Sequence, residues 1–529
     1  MKDVVASLDI QRCLRLPQPE ATRDELRHAM RWVTDSEVYR IIDEQLRDST
    51  ASVRKHRTGL EDEGLQLIFD LRKVETPPLP PVAYCNVFDL TEEREEALRR
   101  RIIVEPVIND ILERCRDQYD GILSATTKYT PKEDIRRSVF ENSCAAQFDF
   151  AAYFDQFALA KSIRKYFGIA RRNDDDLQLC VLAMGYRPSC QVAQATTKTI
   201  MSVKEKVDSA SCVDNVLFLG TPGSVFRASK QFIVRSAIVG AQLKDTTIAI
   251  TTEYDFLGEH YDHVAKTRCL TKKTAAKAAF VGAFMLDKKP LRTKQLQAIF
   301  GLLLYAANTL RLTIANYHWA LRFMSKVCAS EQQTEHDIPD DVRGEFLSWA
   351  RVASTNTPVD VYTPDIEADF IIYTDASAYG WGAISISRGG NVKTISKQWS
   401  PQECDEHNVY SSVVAEPLAI RKAIAALVPA TTRKVTIFTD HLPFVFAAEA
   451  TYGKAWSYSS AIQFLAGYKT EFDVQFVPGA QNPADVLSRA RPITTTKPIA
   501  PLLSVTSVAG RRCGRREAWG WAGEGPGTG

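Results

Sequence analysis

Four acidic residues near the C-terminus sit where a carboxylate is hard to explain as ordinary surface. Phe370-Ile371-Ile372-Tyr373-Thr374 reads as a short apolar strand that stops on Asp375. Val435-Thr436-Ile437-Phe438-Thr439 is another, and it too ends on an acid, Asp440. Glu416 falls on the apolar stripe that Val413, Ile420, Ile424 and Leu427 form on a predicted helix. An unpaired charge on such a buried face is costly, so it needs a reason to be there. Asp485 opens a short predicted helix, ADVLSR, after the turn PGAQNP. One Asp closing one strand is explained well enough as a turn former. Two at strand ends, a Glu on an inward helix face and an Asp at a helix start can instead converge on one point. Such a cluster repels itself unless divalent cations neutralise it. Hard oxygen ligands favour Mg²⁺ or Mn²⁺, and paired ions of that kind cleave phosphodiesters.

The elements that must carry these acids form a compact α/β pattern over residues 369–490. Gly380–Ser387, Val392–Ser396 and Phe472–Val477 read as further strands. Pro417 follows Glu416 and is tolerated only in a first helical turn, or else kinks the helix, so the helix start stays open.

TDAS at 374–377, the Glu of SSVVAEPLAI, TDH at 439–441 and PGAQNPADVLSR at 478–489 resemble, in order and end to end, the four motifs of retroelement ribonuclease H. The resemblance implies that Asp375, Glu416, Asp440 and Asp485 are a catalytic tetrad holding two Mg²⁺ or Mn²⁺ ions. One departure stands out. Many relatives carry a His near the last Asp that assists product release, and the matching stretch here is QFVPG. The short last gap also leaves little room for the extra basic substrate-binding helix of some relatives.

Upstream, Gln147-Phe148-Asp149 reads as a strand ending in an acid, followed by the aromatic-rich AAYFDQ. It resembles the first catalytic motif of reverse transcriptases, which implies that Asp149 is a metal ligand. Phe154 would then be the steric gate that fills the space of a ribose 2′-hydroxyl. MGYRPSCQVAQ at 184–194 resembles the second motif and implies nucleotide contacts at Gly185 and Gln194. Cys212-Val213-Asp214-Asn215 lies between SAS and VLFLG, the layout of a hairpin with a tight Asp-Asn turn. It resembles the third motif, which implies that Asp214 is the second catalytic metal ligand. Cys212 replaces the usual Tyr, and Asn215 replaces the usual second Asp. Phe256-Leu257-Gly258 resembles the primer grip, and RRRIIVEPVIND at 99–110 a fingers motif lining the template path. Arg137 is the predicted triphosphate contact, with Arg136 and Lys128 as further candidates.

Together these motifs identify the chain as resembling a reverse transcriptase–ribonuclease H of gypsy-like or DIRS-like retroelements, with cysteine-rich, unorthodox motifs that hint at the trypanosomatid VIPER type. The implied fold is multidomain α/β: a right-hand polymerase of fingers, palm and thumb, followed by a mixed-sheet ribonuclease H-like domain. The domains expected are an N-terminal helical extension (1–76), fingers and palm (84–265), thumb and connection (266–352), ribonuclease H (369–490) and a disordered tail (491–529). The Pro77–Pro81 run reads as a stiff linker, and so does the proline-punctuated stretch 353–364. The implied partners are an RNA template, a DNA primer, RNA–DNA hybrid and dNTPs, with a dimer or other element-encoded proteins as further candidates. The rival reading is a decayed element in which only ribonuclease H, or only hybrid binding, survives.

Composition sets outer limits. A chain of 529 residues is too long for one core. A formal net charge of +2 argues against a histone-like, purely electrostatic nucleic-acid binder, whereas acidic metal ligands can cancel a polymerase's basic residues. The cysteines include no CxxC pair, which fits reduced thiols inside a cell. His260, His263 and Cys269, like Cys404 and His407, lack a second ligand pair at finger-like spacing. The longest apolar run, Ile299 to Ala307, falls far short of the ~20 residues of a spanning helix, so no membrane partner is expected.

Overall fold

The computed structural model describes residues 4–48, 72–94, 97–124, 126–171, 175–329 and 334–489. They fall into two units, Met1–Asp365 and Ile366–Gly529. The expected disordered tail, 491–529, lies outside the described residues, as do 49–71.

The first unit opens with helices α1 (Ile10–Arg15), α2 (Glu20–Met30) and α3 (Glu37–Asp48). Asp9 caps α1 by accepting from the Arg12 N–H at 3.0 Å. Residues 10–48 of the expected extension are largely helical, whereas Val74–Glu75 is a strand, and the helices are no separate body. The extension's apolar residues Leu26, Trp32, Val33, Tyr39 and Ile42 share one core with Phe157, Tyr166, Tyr186 and Val192. Trp32 Nε1 donates to Gln191 Oε1 at 2.7 Å, and the Ala6 N–H donates to the Asp155 carbonyl at 2.9 Å. Nor is the proline run a free linker. Gly168 lies against Pro81 so closely that an added Cβ would come within 2.5 Å of the ring.

Helix α4 (Lys132–Glu141) leads into β1 (Cys144–Asp149). Helix α5 (Ser189–Met201) precedes the hairpin β2 (Asp208–Cys212) and β3 (Asn215–Gly220), which runs into helix α6 (Pro222–Ile238). With β4 (Ile250–Thr251) the strands form an antiparallel sheet ordered β2-β3-β1-β4. Cys212 pairs with Asn215, so the two turn residues are Val213 and Asp214. The expected Asp-Asn turn is thereby corrected by one residue, because Asn215 is held in the ladder opposite Asp149. Val213 takes φ +56°, a conformation that strains a β-branched residue.

A second sheet contains β5 (Glu253–Phe256), β6 (Glu259–Asp262), β7 (Thr267–Leu270) and β8 (Val359–Asp360). Between the last two strands run α7 (Lys272–Leu286), α8 (Thr293–Thr309), α9 (His318–Ala329) and α10 (Asp340–Thr355). They form the expected helical region around Leu296, Leu303, Phe346 and Trp349, with Tyr317 stacked on Trp349 at 4.4 Å. The expected linker after residue 353 is docked instead. Val359 and Asp360 pair with β7, and Val361 is fully buried.

The second unit is built on a five-stranded mixed sheet of β9 (Phe370–Ala376), β10 (Gly380–Ser387), β11 (Val392–Gln398), β12 (Lys434–Thr439) and β13 (Glu471–Phe476). The order is β11-β10-β9-β12-β13, antiparallel through β9 and parallel from β9 to β13. Helix α11 (Ser412–Leu427) forms the crossover from β11 to β12 and packs on β9. Helices α12 (Leu442–Glu449) and α13 (Trp456–Ala466) lead to β13, and the short α14 (Asp485–Ser488) closes over β10. Ile420 and Ile424 of α11 are buried, but Val413 is exposed, so the predicted stripe begins one turn later. Pro417 lies inside the helix, beyond its first turn. It leaves the Val413 carbonyl without its i+4 donor, and the Ser457 hydroxyl supplies one at 2.6 Å.

Candidate active sites

Adjacent parallel strands point their carboxyl ends the same way, and this puts the first two acids side by side. Tyr373 of β9 pairs with Phe438 of β12, so Asp375 and Asp440 leave the sheet at one edge. Strand β9 does not stop on Asp375 but runs through it to Ala376, because Asp375 pairs with Gly382 of the next strand. Helix α11 brings Glu416 against that edge, where Oε1 accepts the Ala376 N–H at 3.2 Å. Ligand oxygens of Asp375, Glu416 and Asp440 all lie within 4.8 Å of one another, the one such grouping among the described residues. Asp375 and Glu416 are buried.

Burial, and then the charges of Asp375 and Asp440, push the Glu416 carboxyl up to about 9. Asp375 rises to about 6, chiefly by burial, opposed by a Ser488 hydrogen bond and reinforced by the charges of Asp440 and Asp485. Glu416 Oε2 is buried with no hydrogen-bond partner. Three converging carboxylates with an orphaned inward oxygen fit a divalent cation, which would restore ionisation and fill the missing contact.

Asp485 stands outside that trio. Its Oδ1 is gripped by Arg489, with Nη2 at 2.6 Å and Nε at 3.1 Å. The helix that carries it is latched by Asn482, whose Nδ2 donates to the Thr374 carbonyl at 2.9 Å while its Oδ1 accepts the Ala484 N–H at 3.1 Å. An added Cβ at Gly479 would lie 2.8 Å from Asp440 Oδ2, so any side chain there would press on the carboxylate. His441, beside Asp440, is engaged with the Tyr458 hydroxyl at 2.7 Å.

In the first unit, Asp149 ends β1 and Asp214 occupies the turn next to it, with the Phe150 N–H donating to the Asp214 carbonyl at 3.2 Å. Burial and then the charge of Asp149 raise the Asp214 carboxyl above its usual range. Asp149 Oδ1 is buried without a partner, while Oδ2 is ion-paired with Lys244. These two acids, too, offer a cation an orphaned oxygen. Lys244 belongs to none of the motifs read from the sequence. Only the fold brings it there, through its N–H bond to the Asp149 carbonyl at 2.8 Å.

The other predicted residues fare unevenly. Phe154 sits in the 3₁₀ turn Tyr153–Gln156, half-buried against the core. Gly185 lies so close to the Val104 carbonyl that a Cβ would come within 2.8 Å, and its N–H donates to that carbonyl at 3.1 Å. Gln194 is corrected from a nucleotide contact to an internal brace. It is fully buried, and its amide oxygen accepts the Val213 N–H at 2.7 Å. Arg136 is also taken out of reach, because it is buried and its Nη2 donates to Glu259 Oε1 at 2.7 Å. Arg137 stays on the surface with its guanidinium over the Tyr362 ring. Lys128 is exposed. His260 pairs with Asp255, and His263 is buried between the Tyr254 hydroxyl and the Asn142 carbonyl, so neither is poised over a metal.

No curated protein matches the chain. Three solved structures of the foamy viral protease–reverse transcriptase are similar at 12% identity: two in complex with double-stranded DNA and one with an RNA/DNA hybrid. The DNA complexes have TM-scores of 0.45 and 0.44, each over 80% of this chain and over 71% and 84% of theirs. The hybrid complex has a TM-score of 0.46 over 84% of this chain and 57% of its own. Residues 365–465 match the family model described as an RNase H-like domain found in reverse transcriptase. That span contains Asp375, Glu416 and Asp440, so the likeness to retroelement reverse transcriptase–ribonuclease H read from the sequence holds where the three carboxylates meet.

Proposed function

We propose that the chain is a retroelement reverse transcriptase that copies RNA into DNA inside the cell and cleaves the RNA strand of the resulting hybrid. The observation that carries the reading is the Asp375–Glu416–Asp440 cluster within 4.8 Å, inside a segment matching the RNase H-like domain of reverse transcriptases. In this reading residues 84–265 are fingers and palm, 266–352 thumb and connection, and 369–490 the ribonuclease H domain. Mg²⁺ or Mn²⁺ ions bound in pairs at each site would activate the attacking oxygen and stabilise the leaving one.

The chain's own groups do the rest. Asp375, Glu416 and Asp440, with Asp485 alongside, hold the hydrolytic centre. The hybrid is recognised by its 2′-hydroxyls and backbone shape, not by base edges. Asp149 and Asp214 hold the polymerising centre, and Phe154 limits the space beside the sugar of the incoming dNTP. The second reading, a decayed element with ribonuclease H alone, is favoured by two observations: Asn215 where a second acid would stand, and Lys244 ion-paired with Asp149.

Two assays on the full chain separate the readings: cleavage of a labelled RNA–DNA hybrid, and primer extension on poly(rA)/oligo(dT). Asp375→Asn should abolish cleavage and leave extension, and Asp214→Asn should do the reverse. Cleavage without extension in either Mg²⁺ or Mn²⁺ supports the second reading, and absence of both overturns the proposal.

A further inference from the structure

We infer that Thr197, assisted by Gln194, is the positioning residue that sets Asp149 and Asp214 in register with each other. The inference rests on the reading of those two acids as one metal site. Helix α5 runs beneath the sheet, and Thr197 and Gln194 on it are both fully buried. The Thr197 hydroxyl lies 2.6 Å from the Val213 carbonyl oxygen, one residue before Asp214. It also lies 3.0 Å from the Tyr153 phenol oxygen, four residues after Asp149. Tyr153 in turn stacks on Phe150, the neighbour of Asp149, with ring centroids 4.2 Å apart and planes 11° from parallel. One hydroxyl therefore joins the chain segments that carry the two carboxylates.

The hairpin needs such a hold. Val213 sits at φ +56°, where glycine is the easy residue and a β-branched side chain is strained. Both faces of its backbone are clamped from α5: its carbonyl by Thr197, its N–H by Gln194 Oε1 at 2.7 Å. Gln194 is itself oriented, since its Nε2 donates to Ser211 Oγ at 3.0 Å. Released from these bonds, Val213 would relax toward negative φ, and Asp214 would swing with it. A buried brace that touched only the core would stabilise the fold alone. This one ends on Val213, next to Asp214, and on Tyr153, whose ring stacks on the neighbour of Asp149.

The test uses the full chain with the second site disabled by Asp375→Asn and Glu416→Gln. The readouts are primer extension and Mn²⁺ binding followed by electron paramagnetic resonance. Thr197→Val keeps the shape and removes the hydroxyl. It should lower kcat by between about tenfold and a hundredfold, the scale of a small misplacement of reacting groups, with the dNTP KM within about twofold of the parent. Mn²⁺ binding should weaken in parallel. Thr197→Ser, which restores the hydroxyl, should recover both. A Thr197→Val protein that binds Mn²⁺ and extends primers as its parent does would overturn the inference. So would a Thr197→Ser protein no better than Thr197→Val, since packing and not the hydroxyl would then matter. If Asp214→Asn leaves Mn²⁺ binding unchanged, the metal-site reading has failed, and the inference with it. If the parent binds Mn²⁺ through Asp214 yet extends no primer, only the polymerase reading has failed, and the Mn²⁺ affinities of the two Thr197 variants still decide.

Discussion

The Asn215 side-chain amide donates to Asp214 Oδ1 at 3.0 Å. Asn215 is therefore not idle at the position where relatives usually carry a second acid. It sits in the ladder opposite Asp149 and hydrogen-bonds the carboxylate that the turn presents. Burial and then the Asp149 charge raise that carboxyl, and the Lys244 charge opposes them.

Asn215→Asp should turn that donor into a third carboxylate and raise Mg²⁺-dependent primer extension. One added charge about 4 Å from a cation near the surface is worth roughly 4 kcal/mol per unit charge at an effective dielectric of ~20. The parent should be weak in Mg²⁺ and stronger in Mn²⁺, which binds a given oxygen and nitrogen site more tightly. Asp214→Asn should be inert in both ions. Steady-state dNTP incorporation for the three proteins at matched ion concentrations checks this. Extension that survives Asp214→Asn removes the site from this hairpin altogether.

Phe154 follows Ala152, which takes φ +43°, in the tight turn leaving β1, and its ring is only half-buried against the core. Part of the ring is therefore exposed to solvent. Phe154→Val should raise use of rNTPs relative to dNTPs, at a packing cost on the order of 1–3 kcal/mol. Competition between a labelled dNTP and its rNTP partner measures the ratio. An unchanged ratio in a folded, active variant places the sugar elsewhere.

What could be read from the residues, and what could not, divides along contact range. Asp375 and Asp440 are legible because each follows an apolar run of β-forming residues, and Glu416 because a carboxylate on an apolar helix face demands a partner. The turn register was not. The tetrapeptide Cys212–Asn215 permits a turn at Val-Asp or at Asp-Asn, and the choice is made by pairing Asn215 with Asp149 on a strand far away in sequence. Arg136 reads as a surface cation until Glu259, brought in by another hairpin, buries it in an ion pair. Gln194 and Lys244 act through bonds to Val213 and Asp149 that no local pattern announces. The stretch after residue 353 looks like a linker because its composition is polar, yet Val359 and Asp360 find an open edge on β7. Asp485 is legible as an acid opening a short helix, but its salt bridge to Arg489, one helical turn on, is not.

Glu416 yields the prediction with the most ways to fail. In the metal-free folded protein its carboxyl keeps its proton up to about pH 9, whereas its ordinary value is 4.5. Between those two values the unfolded chain binds fewer protons than the folded one, so stability falls as pH rises through this window. Glu416→Gln cannot ionise and escapes that penalty. With a chelator present, its C-terminal unit should melt close to the parent at pH 5 and well above it at pH 8, where each 1 kcal/mol moves a small domain by roughly 4–8 °C. Added Mg²⁺ should reverse the order at pH 8. Cation binding to the parent must displace the Glu416 proton, so its stabilisation should grow with pH, while the glutamine variant gains little. Hybrid cleavage by the variant should drop about a hundredfold or more, the scale of removing a group that stabilises charge at a hydrolytic centre. Calorimetry at the two pH values, with and without Mg²⁺, is read alongside the cleavage rate. Wild-type cleavage by Glu416→Gln would refute the cluster as the hydrolytic site. A melting difference of the same size at pH 5 and pH 8 would show that burial does not hold the proton on Glu416, even if the carboxylate serves catalysis.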